Sequence, residues 1–262
     1  MSWLRTLGNT GITVSALGLG TVKLGRDQGV KYPEGFQIPD DRAASALLDQ
    51  ARGLGINLID TAPAYGSSEE RLGDLLQHQR DNWVICSKVG EEFTDGQSHY
   101  DFSPEHTVYS VERSLARLRT DRIDIEIVHS DGNDLESIQQ WGTLDALAEL
   151  HRRGLLRSYG MSTKTVAGGL AATELCDAVM LTYNLAHREE AAVLDACARS
   201  GRGALIKKAF ASGHLAGEVD DPVQASMNLV FGHPGTTSAI IGTINPAHLE
   251  SNVSAARRAL GG

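Results

Sequence analysis

Eight short runs rich in apolar and β-branched residues recur along the sequence, and a longer helix-like segment follows each of them. Strands that alternate with helices pair in parallel. Eight such units predict an α/β fold, the closed (β/α)₈ or TIM barrel. A chain of 262 residues without a Pro/Ser-rich linker fits one domain over residues 1–262. The runs cover residues 15–21, 56–60, 83–89, 123–130, 156–162, 178–184, 204–209 and 238–243.

Two segments show clear helical spacing, with apolar residues at steps of three and four. The first predicts a helix over 103–119, and its opening "SPE" is typical of a helix N-terminus. The second predicts one helix over 136–152, ending on basic residues and Gly154. Upstream of the first run, "LGNTG" within "LRTLGNTGITVS" predicts a β-hairpin that closes the bottom of the barrel. The apolar positions are Val108, Val111, Leu115 and Leu118 in the first helix, and Ile138, Trp141, Leu144, Leu147 and Leu150 in the second.

A doubly wound dinucleotide-binding fold is the weaker alternative. The glycines of "GLGTVKLG" follow the first predicted strand, but a glycine-rich dinucleotide turn must lead directly from a strand into a helix. Here the loop "VKLGRDQGVKYPEGFQIPDD" intervenes. The glycines are therefore poor support for that fold.

Charge and composition exclude several classes of partner. The formal net charge of −9 works against binding to phosphate backbones or anionic lipid surfaces. The 3 cysteines lie far apart without a CxxC spacing, so neither a disulfide framework nor a zinc site is indicated. The start lacks the apolar core of a leader, and no run is long enough to span a bilayer. We expect a cytoplasmic protein, while its oligomeric state stays undetermined.

Proton-handling side chains follow three successive predicted strands. Asp60, Lys88 and His129 end strands two, three and four, and Tyr65 lies on the loop after strand two. Because active sites of such barrels lie at the carboxyl ends of the strands, these four groups are expected to converge. Lys88 can neutralise Asp60 and is expected to lower the pKa of the Tyr65 phenol from its ordinary value of about 10. His129 could donate a hydrogen bond to the oxygen that receives the proton, or relay a proton itself.

Each of these residues also has a structural interpretation, as a turn former, a packing aromatic, a solvated lysine or a buried histidine. Four such residues at successive strand ends favour a site. The sequence shows neither an activated Ser or Cys nucleophile nor a metal-ligand cluster. The set therefore indicates a general acid for carbonyl reduction.

Five stretches resemble the aldo-keto reductase superfamily in order and spacing: "LGNTGITVSALGLGT", "NLIDTAPAYGSSEERLG", "ICSKVG", "ERSLARLRTDRIDIEIVHS" and "YGMST". The resemblance runs from about residue 5 to residue 254. It implies a (β/α)₈ barrel that interconverts carbonyls and alcohols with NADPH or NADH. The implied catalytic tetrad is Asp60, Tyr65, Lys88 and His129, with Tyr65 as the general acid. The implied partner is a small carbonyl or alcohol substrate.

The implied cofactor positions match the family less closely. Ser162-Thr163 stands where the family has Ser-Asn, and Met180 replaces a glutamine. Lys207 replaces an aromatic residue, so it either contacts the cofactor or only solvates a strand end. NADPH is expected, but NADH stays open because His248 stands where an arginine is often found. The implied positions are Gly20, Thr21, Ser162, Thr163, Lys207, Gly242, Thr243, Asn245, His248 and Asn252.

The loops that would line the substrate side are 22–39 and 91–102. Their aromatic residues either wall the site or pack the loops onto the barrel, and short loops elsewhere predict an open, shallow site. Two other functions stay open, a Schiff-base aldolase or dehydratase using Lys88 or Lys207, and a non-catalytic cofactor-binding sensor. The physiological substrate cannot be deduced from the fold. The aromatic residues are Tyr32, Phe36, Phe93, Tyr100 and Phe102.

Overall fold

The computed structural model describes residues 2–30, 35–211 and 220–261. Eight parallel strands form a closed barrel in the order β3-β4-β5-β8-β9-β10-β11-β12, and β12 pairs back with β3. All eight predicted barrel strands are confirmed. The described strands are β1 (Leu4–Thr6), β2 (Thr13–Ser15), β3 (Leu17–Gly20), β4 (Leu58–Asp60), β5 (Val84–Val89), β6 (Glu91–Thr94), β7 (Gln97–Tyr100), β8 (Ile125–His129), β9 (Tyr159–Ser162), β10 (Ala178–Thr182), β11 (Gly203–Lys207) and β12 (Ser238–Ile241).

Helices cover the outside of the barrel. The predicted helix over 103–119 is confirmed as α4, and the Ser103 side chain caps it by accepting the backbone N–H of His106. The described helices are α1 (Val22–Gly25), α2 (Asp41–Gly53), α3 (Ser68–Leu75), α4 (Pro104–Arg117), α5 (Asp134–Gln140), α6 (Thr143–Arg152), α7 (Val166–Leu175), α8 (Ala191–Ser200), α9 (Pro222–Gly232) and α10 (Pro246–Leu260). None of these described helices is long and apolar enough to cross a bilayer.

The prediction of one helix over 136–152 is wrong. The chain forms α5 and α6, separated by Trp141 and Gly142. Gly142 has a φ of 74°, a left-handed conformation that ends one helix and precedes the next. Trp141 is 47% exposed rather than part of a buried stripe. Helical spacing therefore continues in the sequence across a break in the backbone.

The N-terminal hairpin closes the bottom of the barrel, as predicted. Strands β1 and β2 pair antiparallel. Leu7 and Ile12, which lie between the two strands, and Val14, which lies in β2, are buried and belong to the cluster of side chains inside the barrel. Leu7 lies against Gly203, the first residue of β11, because a Cβ built there would be 2.2 Å from Leu7 Cδ1. The hairpin thus seals the end at which the strands begin.

Strand alternation determines which side chains reach the opposite end. In β8, Ile125 and Ile127 point into the barrel, whereas Val128 packs against the helices. His129, two residues after Ile127, therefore points to the same inner side of β8. In β5, Cys86 points into the barrel, and Lys88, two residues later, points to the same side. The barrel's apolar interior thus carries polar groups at its carboxyl end.

An additional hairpin follows β5. Strands β6 and β7 pair antiparallel around Asp95 and Gly96, whose φ values of 52° and 78° fit the two-residue turn that Asp-Gly favours. Asp-Gly between extended residues is visible in the sequence and would have predicted this hairpin. It rises at the carboxyl end of the barrel, where it contributes Glu91 to the site.

Candidate active site

Lys88 and Asp60 form a buried ion pair at the carboxyl ends of β5 and β4. Lys88 Nζ lies 2.6 Å from Asp60 Oδ1 and also donates a hydrogen bond to the Thr61 carbonyl at 2.8 Å. Burial by itself lowers the pKa of Lys88, but Asp60 and Tyr65 raise it above its ordinary value. Lys88 therefore stays charged at neutral pH, as expected from the sequence.

Tyr65 stands over this pair at the end of the 3₁₀ turn Pro63–Tyr65, directly after β4. Its ring centroid lies 4.8 Å from Lys88 Nζ. The turn packs closely on α1, because a Cβ at Gly66 would lie 2.1 Å from the Gly25 carbonyl oxygen. Gly66 also has a φ of 62°, so a side chain there is disfavoured by the backbone conformation as well as by the contact with Gly25. This close packing fixes the position of the phenol.

Burial raises the pKa of the Tyr65 phenol above its ordinary value. Lys88 opposes that rise, whereas Asp60 and Glu91 add to it. Lys88 lowers the pKa of Tyr65, as predicted. The net shift of that pKa is nevertheless upward, so the expectation of an acidified phenol is wrong. Tyr65 consequently keeps its proton at neutral pH and is chemically able to act as a general acid.

His129 also lies beside Tyr65, with the two ring centroids 6.5 Å apart and the rings nearly perpendicular. Its Nδ1 lies 2.6 Å from Glu91 Oε2. Burial lowers the pKa of His129, Glu91 raises it, and Lys88 and Lys207 lower it further. Glu91 is not among the site residues that the sequence predicts. The structure thus brings the four predicted tetrad residues together and adds a carboxylate.

A cavity of about 890 Å³ opens above these residues. Its lining is rich in cationic side chains, although the whole chain carries a net charge of −9. Among the residues that the structure describes, two carboxylates line it, and these, Asp60 and Glu91, lie against Lys88 and His129 respectively. The cavity is therefore a positively charged region of an acidic protein, which suits an anionic ligand. The basic side chains, besides Lys88 and His129, are Lys23, Arg26, Lys164, Lys207, Lys208 and His248.

Most of the predicted cofactor positions line this cavity, namely Gly20, Ser162, Lys207, Gly242, Thr243, His248 and Asn252. Met180 lines it as well. Thr21, Thr163 and Asn245 are not among the residues that line it. The Thr21 hydroxyl donates to the Asp60 carbonyl at 2.9 Å, and it accepts from Ser68. Thr21 therefore holds the end of β4 in place.

Asn245 caps α10. Its side-chain oxygen accepts the backbone N–H groups of Ala247 and His248. The Thr163 hydroxyl is buried without a hydrogen-bond partner among the described residues. The first turn of α10 nevertheless faces the cavity through His248, and one turn further on through Asn252.

Lys207, at the end of β11, lies on the wall of the cavity. Its ammonium donates to Ser162 Oγ at 2.8 Å and to the Thr163 carbonyl at 2.7 Å. Burial, with the neighbouring charges of Lys208 and Lys164, lowers the pKa of Lys207 to about 7 against the opposing effect of Glu190. The side chain thus links two strand ends and changes charge near neutral pH.

The predicted aromatic walls largely pack the loops instead. Tyr100 lines the cavity. The Arg26 guanidinium stacks on Phe93 at 3.3 Å, Phe36 pairs with Lys23, and Phe102 is buried in the core. Tyr32 lies outside the described residues.

These features are those of an aldo-keto reductase barrel. The sequence model described as the Aldo/keto reductase family matches residues 16–228. The chain belongs to this family.

A crystal structure of a Pseudomonas aeruginosa protein, assigned to the aldo-keto reductases, is similar over nearly the whole fold. It has a TM-score of 0.90 and 56% sequence identity, covering 98% of this chain and 95% of that one.

Two curated relatives bear names of oxidoreductases. An uncharacterised oxidoreductase of Bacillus subtilis is 34% identical over 61% of this chain, and the match covers 48% of the relative, about half its length. Pyridoxal 4-dehydrogenase of Microbacterium luteolum is 26% identical over 95% of this chain and 91% of its own.

Proposed function

We propose that this chain is a nicotinamide-dependent oxidoreductase that reduces aldehydes or ketones to alcohols, or catalyses the reverse reaction. The observation that carries the proposal is the buried Lys88–Asp60 pair beneath the Tyr65 ring, with His129 beside it, at the floor of a cationic cavity. The nitrogen of Lys88 lies 4.8 Å from the ring centroid, close enough to stabilise a phenolate. Family membership supports the same class of reaction.

Tyr65, Lys88 and Asp60 have different roles in the transfer of the proton. Tyr65 donates its phenolic proton to the carbonyl oxygen as that oxygen gains negative charge, which yields the alcohol. The phenolate left behind is stabilised by Lys88, and Asp60 keeps Lys88 charged and oriented. A proton from solvent restores Tyr65. When bound, the reduced nicotinamide supplies the hydride that goes to the carbonyl carbon.

The described residues fit such a cofactor. An anionic dinucleotide matches the cationic lining, and the cavity volume of about 890 Å³ is within the range of ligand sites. Gly242, Thr243 and the first turn of α10 would hold the adenosine phosphates, because a helix N-terminus favours anions. Ser162 and Lys207 would hold the nicotinamide end. We propose NADPH as the cofactor, with His248 beside the 2′-phosphate and NADH as the competitor.

A side-by-side titration tests the cofactor and the reaction. NADPH and NADH are titrated by fluorescence, and oxidation of each is then followed with a panel that includes nitrobenzaldehyde and methylglyoxal. We expect binding of a reduced dinucleotide and its oxidation by at least one carbonyl compound. Binding without turnover across the panel would instead support a cofactor-binding sensor. A chain that binds neither dinucleotide would contradict the proposal.

A Schiff-base enzyme is the second candidate, favoured by one observation. The pKa of about 7 leaves much of Lys207 neutral at physiological pH, as a nucleophilic amine requires. Lys88 is unsuited to that role because Asp60 keeps it charged. Borohydride trapping with a carbonyl substrate separates the two functions. An adduct on Lys207 would support the Schiff-base enzyme, whereas the reductase leaves none.

A further inference from the structure

Glu91 brings a carboxylate to His129 from outside the predicted tetrad. It is the first residue of β6 and is 8% exposed. Gly90, with a φ of 100°, turns the chain between β5 and β6. A Cβ at Gly90 would lie 2.5 Å from the ring of Phe102, so the turn is closely packed. The backbone therefore holds Glu91 at the mouth of the barrel.

Both oxygens of this carboxylate are engaged. Oε2 lies 2.6 Å from His129 Nδ1, and Oε1 accepts a hydrogen bond from Ser98 Oγ at 2.6 Å. Ser98 lies on β7, the other strand of the hairpin. The hairpin thus orients the carboxylate toward the imidazole.

The charges around the pair fix where the proton lies. Burial raises the pKa of Glu91, but His129, Ser98 and Arg26 bring it down to about 2, so the carboxylate is ionised. An ionised oxygen 2.6 Å from Nδ1 would repel the lone pair of an unprotonated nitrogen, so this contact favours a proton on Nδ1 even though the N–H and the oxygen are not well aligned. His129 also faces Tyr65 from the 3₁₀ turn, Lys88 from β5 and Lys207 from β11. Since Nδ1 is occupied, Nε2 is the nitrogen left for the cavity.

We propose that Glu91 is a positioning residue that holds His129 as the Nδ1–H tautomer, so that Nε2 alone meets the substrate oxygen. A protonated Nε2 then donates a hydrogen bond to the carbonyl oxygen during reduction. A neutral Nε2 accepts one from the alcohol in the reverse reaction. The catalytic consequence rests on the proposed function, but the tautomer does not.

The test is nitrogen-15 NMR of the histidine side chains in the full chain, with the His129 signals assigned from their loss in His129→Asn. In the unmodified protein we expect the neutral imidazole to carry its proton on Nδ1. In Glu91→Gln, the pKa of His129 should fall by about 1 unit or more, because a charge in contact is lost. The matched control is Glu92→Gln, since Glu92 pairs with Arg113 and His106 instead.

The second arm is the pH profile of kcat/KM for carbonyl reduction. In Glu91→Gln the alkaline decline should move to lower pH by the same amount as the pKa of His129, and Glu92→Gln should leave it in place. A neutral His129 protonated on Nε2 in the unmodified protein, or the same His129 pKa in Glu91→Gln, would overturn the proposal. The tautomer of His129 is measured in the unmodified protein, so that result does not depend on whether a variant folds. An absence of turnover would affect the proposed function alone, because the NMR signals do not depend on it.

Discussion

Lys88 Nζ lies 2.6 Å from Asp60 Oδ1, and both side chains are almost completely buried. Burying an ion pair costs desolvation that its attraction often fails to recover, so such a pair is poor support for stability. Its position under Tyr65 instead supports the proposed role in the reaction. The pair links the chemistry of the site to the stability of the fold, and the two can be separated experimentally.

Replacing Lys88 with Met should lower the free energy of unfolding by about 3–5 kcal/mol, because Asp60 is left buried and unpaired. The double variant Asp60→Asn with Lys88→Met should recover most of that loss without recovering activity. Urea unfolding measures the free energy of unfolding of the single and the double variant, and oxidation of the reduced dinucleotide measures their activity. Asp74→Asn is the control, since its pair with Arg119 is exposed and should contribute less than about 1 kcal/mol. This account would be contradicted if the double variant lost as much stability as Lys88→Met and Asp60→Asn, measured separately, lose together.

Replacing Tyr65 with Phe should reduce kcat for carbonyl reduction between about 10²- and 10⁴-fold, the contribution of a positioned general acid. Dinucleotide affinity should stay unchanged, because only the phenolic oxygen is removed. Stopped-flow oxidation of the reduced dinucleotide and a fluorescence titration measure the two quantities. Tyr109→Phe is the matched control, since Tyr109 is 56% exposed on α4. Full activity in Tyr65→Phe would show that another group supplies the proton.

Dinucleotide affinity should fall as pH rises through about 7, the pKa of Lys207. Below that pH the lysine is charged and attracts the anionic ligand, and above it the attraction is lost. The same linkage predicts proton uptake on binding near neutral pH. Calorimetry in buffers of different ionisation enthalpy measures the uptake, with NADH as the ligand because it lacks the titrating 2′-phosphate.

Two variants isolate that lysine. Lys207→Arg keeps its charge throughout, so its affinity should no longer follow a titration near 7. Lys207→Met should bind more weakly at pH 6 and approach the unmodified protein at pH 8. An unmodified protein with the same pH dependence as Lys207→Arg would rule out this role.

Glu126 should make the stability of the fold depend on pH. It faces outward from β8, fully buried, and neither carboxylate oxygen has a hydrogen-bond partner among the described residues. Burial, with the nearby Glu69, raises its pKa far above the ordinary value. A raised folded-state pKa gives stability that is present below the unfolded pKa and is lost as pH rises toward the folded one. The free energy of unfolding should therefore fall by up to about 1.4 kcal/mol per pH unit above about 4.5.

Glu126→Gln removes this titration. Its stability relative to the unmodified protein should increase as pH rises above about 4.5 and should level off once pH passes the folded-state pKa of Glu126, as measured by urea unfolding at each pH. The exposed Glu112→Gln should follow the unmodified protein. A constant difference between Glu126→Gln and the unmodified protein would show that folding does not raise the pKa of Glu126.

The placement of Asp60, Lys88 and His129 could be predicted because it follows from local pattern alone. Each lies last or next to last in a strand whose alternating residues already point into the barrel, so the closure of the sheet brings the three together. The N-terminal hairpin was predictable for a similar reason, since a turn motif separates two short extended pieces. The chemical direction of the Tyr65 pKa was not, because burial depends on the packing of α1 and the 3₁₀ turn.

Other features depend on contacts that sequence spacing does not express. Gly142 breaks a segment whose apolar spacing continues on both sides. Glu91 reaches His129 only because Gly90 turns the chain sharply, and nothing in the spacing of the two residues indicates it. Asn245 was assigned to cofactor binding by its family position, but its side-chain oxygen caps α10. Polar residues at loop-to-helix junctions serve both purposes, and sequence alone does not separate them.

Leu7, Ile12 and Val14 fill the end of the barrel opposite the tetrad and are essentially inaccessible to water. In the part of the chain that the structure describes, the tetrad is therefore approached from the cavity at the carboxyl ends of the strands, which Tyr65 lines. A small molecule that contacts the phenol has to enter and leave on that side.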